Sequence, residues 1–175
     1  YMLSGDCMPI KTAVYAHEFL DDRDVDYIEN FDFFHSDWIK TGFKEERLHY
    51  RHWFNERTQK KLFYGSYEIQ RRLGITREVP ADIQVMIGSQ WWCLTARTLR
   101  AILSDPRRAE FDRYFRRVWI PDESYFQTLV RRHSVHVESR SLTLAKFDHD
   151  GKPYVFYDDH RDVLAQSGCF IARKI

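Results

Sequence analysis

The sequence predicts an α/β fold, because helical and extended patterns alternate along its 175 residues. Segments with apolar residues at helical spacing stand between short runs rich in β-branched and aromatic residues, which are typical of strands. The length suffices for a sizeable core, and the sequence contains no internal repeat, low-complexity tract or domain linker. We therefore expect one α/β domain over residues 1–175.

The first third of the sequence alternates between extended and helical patterns. YMLSGDCMPI predicts a buried strand that leads into a loop, and Thr12 is placed to cap the helix that follows. DVDYIEN predicts a short strand. The aromatic stretch after it has no clean period, so we expect a long loop with a strand near residues 48–53.

The rest of the sequence predicts further helices and strands in turn. TQKKLFYGSYEIQRRLG predicts a helix on which Leu62, Ile69 and Leu73 share a face and which ends at Gly74. A strand is expected through 91–94, followed by three helices in ARTLRAILSD, RRAEFDRYFRRV and DESYFQTLVRRH. VHVESRSLTLAKF and YVFYDD predict strands, HRDVLAQSG predicts a helix, and CFIARKI predicts an extended end.

Composition argues against several classes of function. The formal net charge of +1 gives no general attraction to nucleic acid or to an anionic membrane, and the arginine-rich segment 107–117 matches no nucleic-acid motif. No apolar run approaches the roughly 20 residues that a membrane-spanning helix needs. The three cysteines, Cys7, Cys93 and Cys169, are far apart and form no CxxC pair, which favours a reducing compartment over a disulfide scaffold or zinc site.

Acidic and histidine motifs give weak metal candidates. The DHD at 148–150 has the DxD spacing that holds Mn²⁺ or Mg²⁺ in many nucleotide-sugar enzymes, and two more matches lie within 22–26. HDG before a strand is also a turn composition, and this interpretation is favoured. His133 and His136 have no third ligand near them in sequence, which favours a surface pair. We expect no metal.

A phosphate site would have to be built from cationic side chains. The sequence has neither GxGxxG nor GxxxxGK(S/T), the loops whose backbone amides cradle phosphates in other folds. Arg173 and Lys174 form one basic pair, and Lys152 is a further candidate. The alternative for all three is a solvated basic surface.

Asp122 and Glu123 stand together in WIPDESYFQT, directly after Pro121 and at the start of a predicted helix. Helical neighbours point about 100° apart, so the two carboxylates cannot form a paired acid and base of the hydrolase type. The partial positive charge of a helix N-terminus should keep Glu123 ionised and able to accept a proton. The alternative is an acidic cap in the first helical turn.

Trp91 and Trp92 are adjacent, and in a strand they would face opposite ways. One could pack in the core while the other lines a pocket, where an indole face suits the apolar face of a sugar. Packing of both in the core is the alternative. Ser89 lacks a GxSxG nucleophile elbow, and Cys93 lies in a strand pattern that favours the core.

Four segments in order resemble motifs of one family, the core-2/I-branching N-acetylglucosaminyltransferases and their relatives the peptide O-xylosyltransferases (glycosyltransferase family 14). LSGDCMPIKT is similar to LSG-x-D-Y/F-P-I/L-K/R-T, and GSQWWCLT to GS-x-W-F-x-L-S/T. IPDESYFQTLV resembles S/L-P-D/A-E-x-F/L-F/W-x-T-I/L, and FIARKI resembles F-A-R/N-K-F. KEER at 44–47 is similar, more weakly, to an acceptor-side stretch of the branching enzymes.

The resemblance implies a GT-A-like α/β fold and inverting, metal-independent transfer of N-acetylglucosamine or xylose from a UDP-sugar to a glycan or peptide hydroxyl. In the family, the half that binds the nucleotide would precede Tyr1. We therefore expect residues 1–175 to be the C-terminal catalytic and acceptor part of a longer enzyme.

The resemblance also implies roles for individual residues. The glutamate of the family's P-D/A-E motif is the catalytic base, and Glu123 occupies that position. The basic pair of the last motif grips the diphosphate, which assigns that role to Arg173 and Lys174. Lys152 aligns with an arginine of the branching enzymes, so the charge is kept but the planar guanidinium is lost.

The acceptor side departs from the family. The aspartate of the first motif aligns with Cys7, with Asp6 one place earlier, and the acceptor-stacking Trp and Tyr fall near Ala145 and Phe147. The candidates that remain for acceptor binding are Asp122, Trp91, Trp92 and Glu46.

Cysteine content bears on where such an enzyme works. Eukaryotic members have many cysteines and this sequence has three, which favours a bacterial, cytoplasmic member over one in the Golgi lumen. Membrane association is expected only through parts outside this sequence. We expect no cofactor and no nucleic-acid partner. The alternative to an enzyme is a non-catalytic carbohydrate-binding module on the same scaffold.

Overall fold

The computed structural model describes residues 1–21, 23–40, 42–149 and 152–175. Helices and short strands in small sheets give a mixed α/β structure, as predicted. The chain folds into two compact units, each assembled from segments that are distant in sequence. The first unit contains Tyr1–Glu29, Ser89–Leu99 and Ser134–Ile175, and the second contains Asn30–Gly88 and Arg100–His133. Within the described ranges, no helix is both long and apolar enough to cross a membrane.

The elements are short and follow one another closely. The strands are β1 (Met8–Pro9), β2 (Asp26–Tyr27), β3 (Phe31–Asp32), β4 (Met86–Ile87), β5 (Val137–Glu138), β6 (Thr143–Ala145) and β7 (Ile171–Arg173). The α-helices are α1 (Ala13–Asp21), α2 (Glu46–His49), α3 (Lys60–Arg72), α4 (Ala96–Leu103), α5 (Arg108–Phe115), α6 (Tyr125–His133) and α7 (Arg161–Gln166). The 3₁₀ turns Pro121–Glu123 and Asp158–His160 precede α6 and α7.

A three-stranded sheet in the first unit joins segments from both ends of the sequence. β7 is its central strand, with β1 antiparallel on one side and β6 parallel on the other. Ala172 in the middle of β7 is fully buried. The backbone N–H of Ile175 donates to the carbonyl of Asp6 at 3.4 Å, so the segment after β7 lies beside the loop before β1.

Aromatic and aliphatic side chains form the core of the first unit. Tyr27 on β2 and Ile171 on β7 are buried together with Leu142 and Phe170. α1 covers this cluster with Phe19, whose ring packs edge-on to Phe170 with ring centroids 5.0 Å apart. β2 pairs parallel with β5, and Tyr27 also bridges Cys93. The core therefore draws together all three sequence segments of the unit.

Polar side chains fix the starts of two helices in the first unit. Thr12 Oγ1 accepts a hydrogen bond from the N–H of Tyr15 at 3.2 Å and caps α1 as predicted. The buried carboxylate of Asp26 accepts hydrogen bonds from the N–H of Thr95 at 2.7 Å and from the hydroxyl of Thr98 at 2.5 Å. These bonds hold the start of α4 against β2.

In the second unit, β3 and β4 pair antiparallel and α6 packs beside β4. Thr128 on α6 accepts a hydrogen bond at Oγ1 from the N–H of Met86 at 3.0 Å. The buried carboxylate of Asp105 accepts hydrogen bonds from Arg132 Nε at 2.9 Å and from His133 Nε2 at 2.6 Å. α6 is thereby fixed at its middle and its end, and with it the 3₁₀ turn that precedes it.

Helix α3 and its end at Gly74 agree with the prediction, but the apolar face that Leu62, Ile69 and Leu73 share is exposed. Leu62, Ile69 and Leu73 are 53%, 60% and 67% exposed, and the face that packs inward contains Gln70. The amide of Gln70 accepts a hydrogen bond from the backbone N–H of Arg51 at 3.0 Å and donates to its carbonyl at 2.9 Å. Because its hydrogen bonds to the backbone are satisfied, this polar side chain can be buried on the inward face, where apolar periodicity would place a leucine.

Strand predictions from aromatic composition are the least accurate. The strand predicted near residues 48–53 is not formed there, since this range begins inside helix α2. In the strand predicted at 91–94, only Cys93 makes a bridge, and the nearest strand is β4. Tyr1 and Leu3 in the predicted buried first strand are 40% and 46% exposed. The YVFYDD segment leads into the 3₁₀ turn Asp158–His160. The described strands are two or three residues long, too short for alternation to distinguish them from loops.

Candidate active site

The 3₁₀ turn Pro121–Glu123 presents the predicted catalytic carboxylate in the second unit. Pro121 occupies the first position of the turn, where its missing N–H costs nothing. Ile120 just before it has a φ of 53°, the left-handed region, which is strained for a β-branched residue by about 1–3 kcal/mol. Such strain persists only where surrounding contacts impose it, so the turn is held by its neighbours.

Backbone hydrogen bonds hold Glu123 on both sides. Its N–H donates to the carbonyl of Ile120 at 3.2 Å, and its carbonyl accepts from the N–H of Gly88 at 2.9 Å. Gly88 follows β4 and belongs to the GSQWWCLT segment. Two of the four sequence motifs therefore meet at the backbone of Glu123.

Arg47 forms an ion pair with Glu123. Its NH1 donates to Oε2 of Glu123 at 2.7 Å, and the two side chains are 6% and 24% exposed. Arg47 lies on α2, in the KEER segment. The guanidinium is thus almost fully buried, whereas part of the carboxylate reaches the surface of the unit.

Two further contacts fix the guanidinium of Arg47. Its Nε donates to the carbonyl of Phe43 at 2.7 Å, and its guanidinium carbon lies 4.6 Å from the centre of the Trp119 ring. Trp119 in turn packs against Gly42, which has φ +80° and leaves no room for a side chain. Gly42, Trp119 and Arg47 therefore form a packed series that ends at the carboxylate of Glu123.

Burial raises the pKa of Glu123 above its ordinary value, and the ion pair with Arg47 lowers it in part. The negative charge of Asp122 adds a smaller upward effect. The sequence predicted that the helix terminus would keep this group ionised; burial acts against the ionised form, and the ion pair with Arg47 favours it. Loss of water around the carboxylate outweighs the favourable charges near it.

The acceptor candidates of the second unit flank this ion pair in sequence. Asp122 precedes Glu123 and is exposed. Glu46 precedes Arg47, is half-buried, and accepts a hydrogen bond at Oε2 from the N–H of Lys44 at 3.0 Å. Both carboxylates have capacity to accept hydrogen bonds from a sugar hydroxyl.

Arg173, at the end of β7 in the first unit, lies against one of the predicted tryptophans. Its guanidinium carbon is 4.8 Å from the centre of the Trp91 ring, and Trp91 is 4% exposed. Among the described residues, the buried Nε of Arg173 has no hydrogen-bond partner. Trp92 is half-buried, and its carbonyl accepts a hydrogen bond from the N–H of Met2 at 2.8 Å.

Lys174 forms a surface ion pair with Asp6. Its Nζ lies 3.4 Å from Oδ2 of Asp6, with the two side chains 42% and 47% exposed. An exposed pair of this kind contributes at most about 1 kcal/mol. The β1–β7 pairing therefore brings the LSGDCMPIKT and FIARKI segments together, a contact that spacing along the sequence did not indicate.

Lys152 is exposed. Its N–H donates to Oδ1 of Asp148 at 2.8 Å, and its carbonyl accepts from the N–H of Asp148 at 2.9 Å. Asp150 of the DHD motif, and Asp22 of the earlier DxD matches, lie outside the described residues. Within the part of the chain that is described, no group of three or more His, Cys, Asp or Glu side chains is placed to hold a metal ion.

The structure thus joins the predicted residues within each unit. In the first unit Arg173 meets Trp91 and Lys174 meets Asp6. In the second unit Glu123 meets Arg47, a residue of KEER to which the motif resemblance assigns no role. An arginine beside a predicted acceptor residue was the available signal.

Residues 1–165 match the sequence model of a family of glycosyltransferases, described as Core-2/I-Branching enzyme. The chain belongs to the core-2/I-branching enzyme family, as its motifs predicted. A search of curated proteins gave no match. The family implies a sugar donor and an acceptor, and the described helices and small sheets are compatible with a glycosyltransferase domain. The FIARKI segment follows the matched range, so roles for Arg173 and Lys174 rest on motif resemblance.

Proposed function

We propose that this chain is part of an inverting, metal-independent glycosyltransferase that transfers N-acetylglucosamine or xylose from a UDP-sugar to a hydroxyl of a glycan or peptide. Family membership supports the transferase class. One observation carries the finer proposal: the carboxylate of Glu123 is fixed through its backbone and Arg47 while a quarter of its side chain stays exposed. A base must be held firmly and still be reached by a substrate.

The reaction needs a group that removes a proton. The acceptor oxygen forms a bond to the anomeric carbon as the bond from that carbon to the diphosphate oxygen breaks on the opposite face. The hydroxyl proton passes to Glu123. Burial raises the pKa of this carboxyl, which favours proton acceptance once the acceptor oxygen develops positive charge.

The leaving UDP needs cations. We assign this role to Arg173 and Lys174, with Lys152 as a third candidate. Arg173 supports the assignment because its guanidinium is oriented by Trp91 and its Nε is not engaged by any described residue. Fixed cations neutralise a developing diphosphate charge without the reorganisation that water would need.

The acceptor is assigned to Asp122, Glu46, Trp92 and Trp91. The first two offer carboxylate oxygens for sugar hydroxyls, and Trp92 is partly accessible. Trp91 is buried beneath Arg173, which suits support of that guanidinium, and its acceptor contact stays a prediction.

Replacement of Glu123 by glutamine tests the role of the base. In the complete protein, Glu123→Gln should abolish transfer and leave UDP affinity nearly unchanged, because the amide keeps the shape but accepts no proton. Glu78→Gln, an exposed carboxylate of the same unit, is the matched control and should retain transfer. Turnover of Glu123→Gln at the wild-type rate would refute the assignment.

Two further measurements separate the alternatives. Transfer should persist in EDTA, and inhibition that Mn²⁺ restores would refute the metal-independent mechanism. Glycan binding with neither transfer nor donor hydrolysis would favour the non-catalytic carbohydrate-binding module.

A further inference from the structure

We propose that Arg47 is a positioning residue for Glu123: it holds Oε2 and thereby directs Oε1 to the acceptor hydroxyl. This inference rests on the proposed role of Glu123 as the base. Arg47 engages the carboxylate through one contact, NH1 to Oε2 at 2.7 Å. Among the described residues, Oε1 of Glu123 has no hydrogen-bond partner.

The geometry of Arg47 is that of a fixed support. The contacts with the Phe43 carbonyl and the Trp119 ring set the plane of the guanidinium independently of Glu123. With 6% of its side chain exposed, Arg47 has little freedom to swing toward solvent. A carboxylate that bonds to a fixed donor is itself restricted to a narrow range of orientations.

Charge adds a second effect to this restraint. The charged groups that act on Glu123 are Arg47 from α2 and Asp122 from its own turn. The neighbouring elements present uncharged groups to this turn: α6 presents the side chain of Gln127, and the segment after β4 presents the backbone of Gly88. Arg47 is thus the cation that offsets burial, and its removal should raise the pKa of Glu123 further.

Loss of the Arg47 charge should move the pH dependence of catalysis to higher pH. A base acts when it is deprotonated, so kcat/KM rises with pH through the pKa of Glu123. Arg47→Gln removes the positive charge, which makes the carboxylate harder to ionise. The acid limb of the profile should therefore move to higher pH by about 1–3 units, the range over which a close opposite charge acts.

Arg77 provides a matched control in the same unit. Its guanidinium donates to the carbonyls of Leu48 at 2.8 Å and Tyr114 at 2.7 Å and lies 4.2 Å from the centre of the Tyr114 ring. Arg77→Gln therefore removes a largely buried, stacked arginine that does not contact Glu123. A loss of activity caused by general loosening of the unit would be common to both variants.

The experiment compares kcat/KM from pH 5 to 9 for the complete wild-type protein, Arg47→Gln, Arg47→Lys and Arg77→Gln, with Glu123→Gln as the inactive reference. We expect an upward shift for Arg47→Gln, a smaller shift for Arg47→Lys because the charge is retained, and none for Arg77→Gln. If Arg47→Gln does not fold, the lysine variant alone should lower kcat and leave KM nearly unchanged. The reason is that lysine no longer holds the carboxylate of Glu123 in the same orientation.

A second readout does not depend on the substrate. In protein labelled with ¹³C at glutamate carboxyl carbons, the Glu123 signal is identified by its absence in Glu123→Gln, and its titration gives the pKa in each variant. Full activity of Glu123→Gln would overturn the proposed function. An inactive Glu123→Gln together with the same profile and carboxyl titration for Arg47→Gln and Arg77→Gln would overturn the present inference alone.

Discussion

Replacing Gly42 by alanine adds a methyl group where neither the backbone nor a neighbouring ring has room for it. Gly42 has φ +80°, a conformation that residues with a Cβ rarely adopt. A Cβ placed there would lie 3.0 Å from Cη2 and 3.2 Å from Cζ3 of Trp119. Since Trp119 stacks on Arg47, which holds Glu123, the methyl group would push on the support of the proposed base.

Gly42→Ala is destabilised by two separate effects, the strained backbone conformation and the contact with the Trp119 ring. A left-handed backbone costs an alanine about 1–2 kcal/mol relative to glycine. Displacing a packed ring adds about 1–3 kcal/mol, the usual penalty of an inserted methyl or methylene group. Gly42→Ala should therefore lower the free energy of unfolding by about 2–5 kcal/mol.

Two other glycines separate the backbone effect from the ring contact. Gly74 also has a positive φ, 64°, but a Cβ there meets nothing within 4 Å, so Gly74→Ala should cost about 1–2 kcal/mol. Gly65 lies in the interior of α3 with open space around it, and Gly65→Ala should stabilise by about 0.5–1 kcal/mol.

Urea unfolding of the three variants, followed by tryptophan fluorescence, measures this series. The expected order of stability is Gly65→Ala, wild type, Gly74→Ala and Gly42→Ala, from most to least stable. In the complete protein, Gly42→Ala should also lower transfer, whereas Gly74→Ala should not. If Gly42→Ala is no less stable than Gly74→Ala, Trp119 yields freely and cannot act as the support of Arg47.

The remaining predictions concern pH and the cations of the first unit. Hydrogen bonding from Gln84, with smaller help from His35 and Phe34, lowers the pKa of Asp32 to about 2. This carboxylate should contribute to the free energy of unfolding above pH 4, and the contribution is lost as the pH falls toward 2. Acid unfolding of Asp32→Asn should therefore show a free energy of unfolding that loses about 2 kcal/mol less over this range than the wild type. Arg173→Lys keeps the charge but loses the flat guanidinium on Trp91, so UDP affinity measured by calorimetry should fall about tenfold. Arg161→Lys, at an exposed position, is the control. Equal UDP affinity of Arg173→Lys and Arg161→Lys would contradict the role of Arg173.

Helices were predictable because several local signals agreed. Thr12 caps α1, Pro121 opens the turn before α6, and Gly74 ends α3 in the left-handed conformation. The buried face of α3 was not predictable from the count of apolar residues. Its inward position at Gln70 depends on backbone groups of Arg51, which lie 19 residues away and leave no pattern in the sequence.

The candidate site shows the same division between local and distant information. Glu123 was identified because its motif is contiguous in sequence. Its partner Arg47 lies 76 residues away, and the contact of Asp6 with Lys174 depends on pairing between β1 and β7. Motif order therefore yields the candidate residues, whereas the fold was needed to identify what holds them.

The ion pair of Glu123 and Arg47 resolves two opposing demands on a base. Burial raises the pKa of Glu123 and so makes the carboxyl a stronger proton acceptor, but burial also disfavours the ionised form that can accept the proton. A fully exposed carboxylate would be ionised but a weak acceptor for a hydroxyl proton. A cation on one oxygen favours the ionised form while the other oxygen remains available, so the buried arginine is as necessary to the proposed chemistry as the carboxylate that it holds.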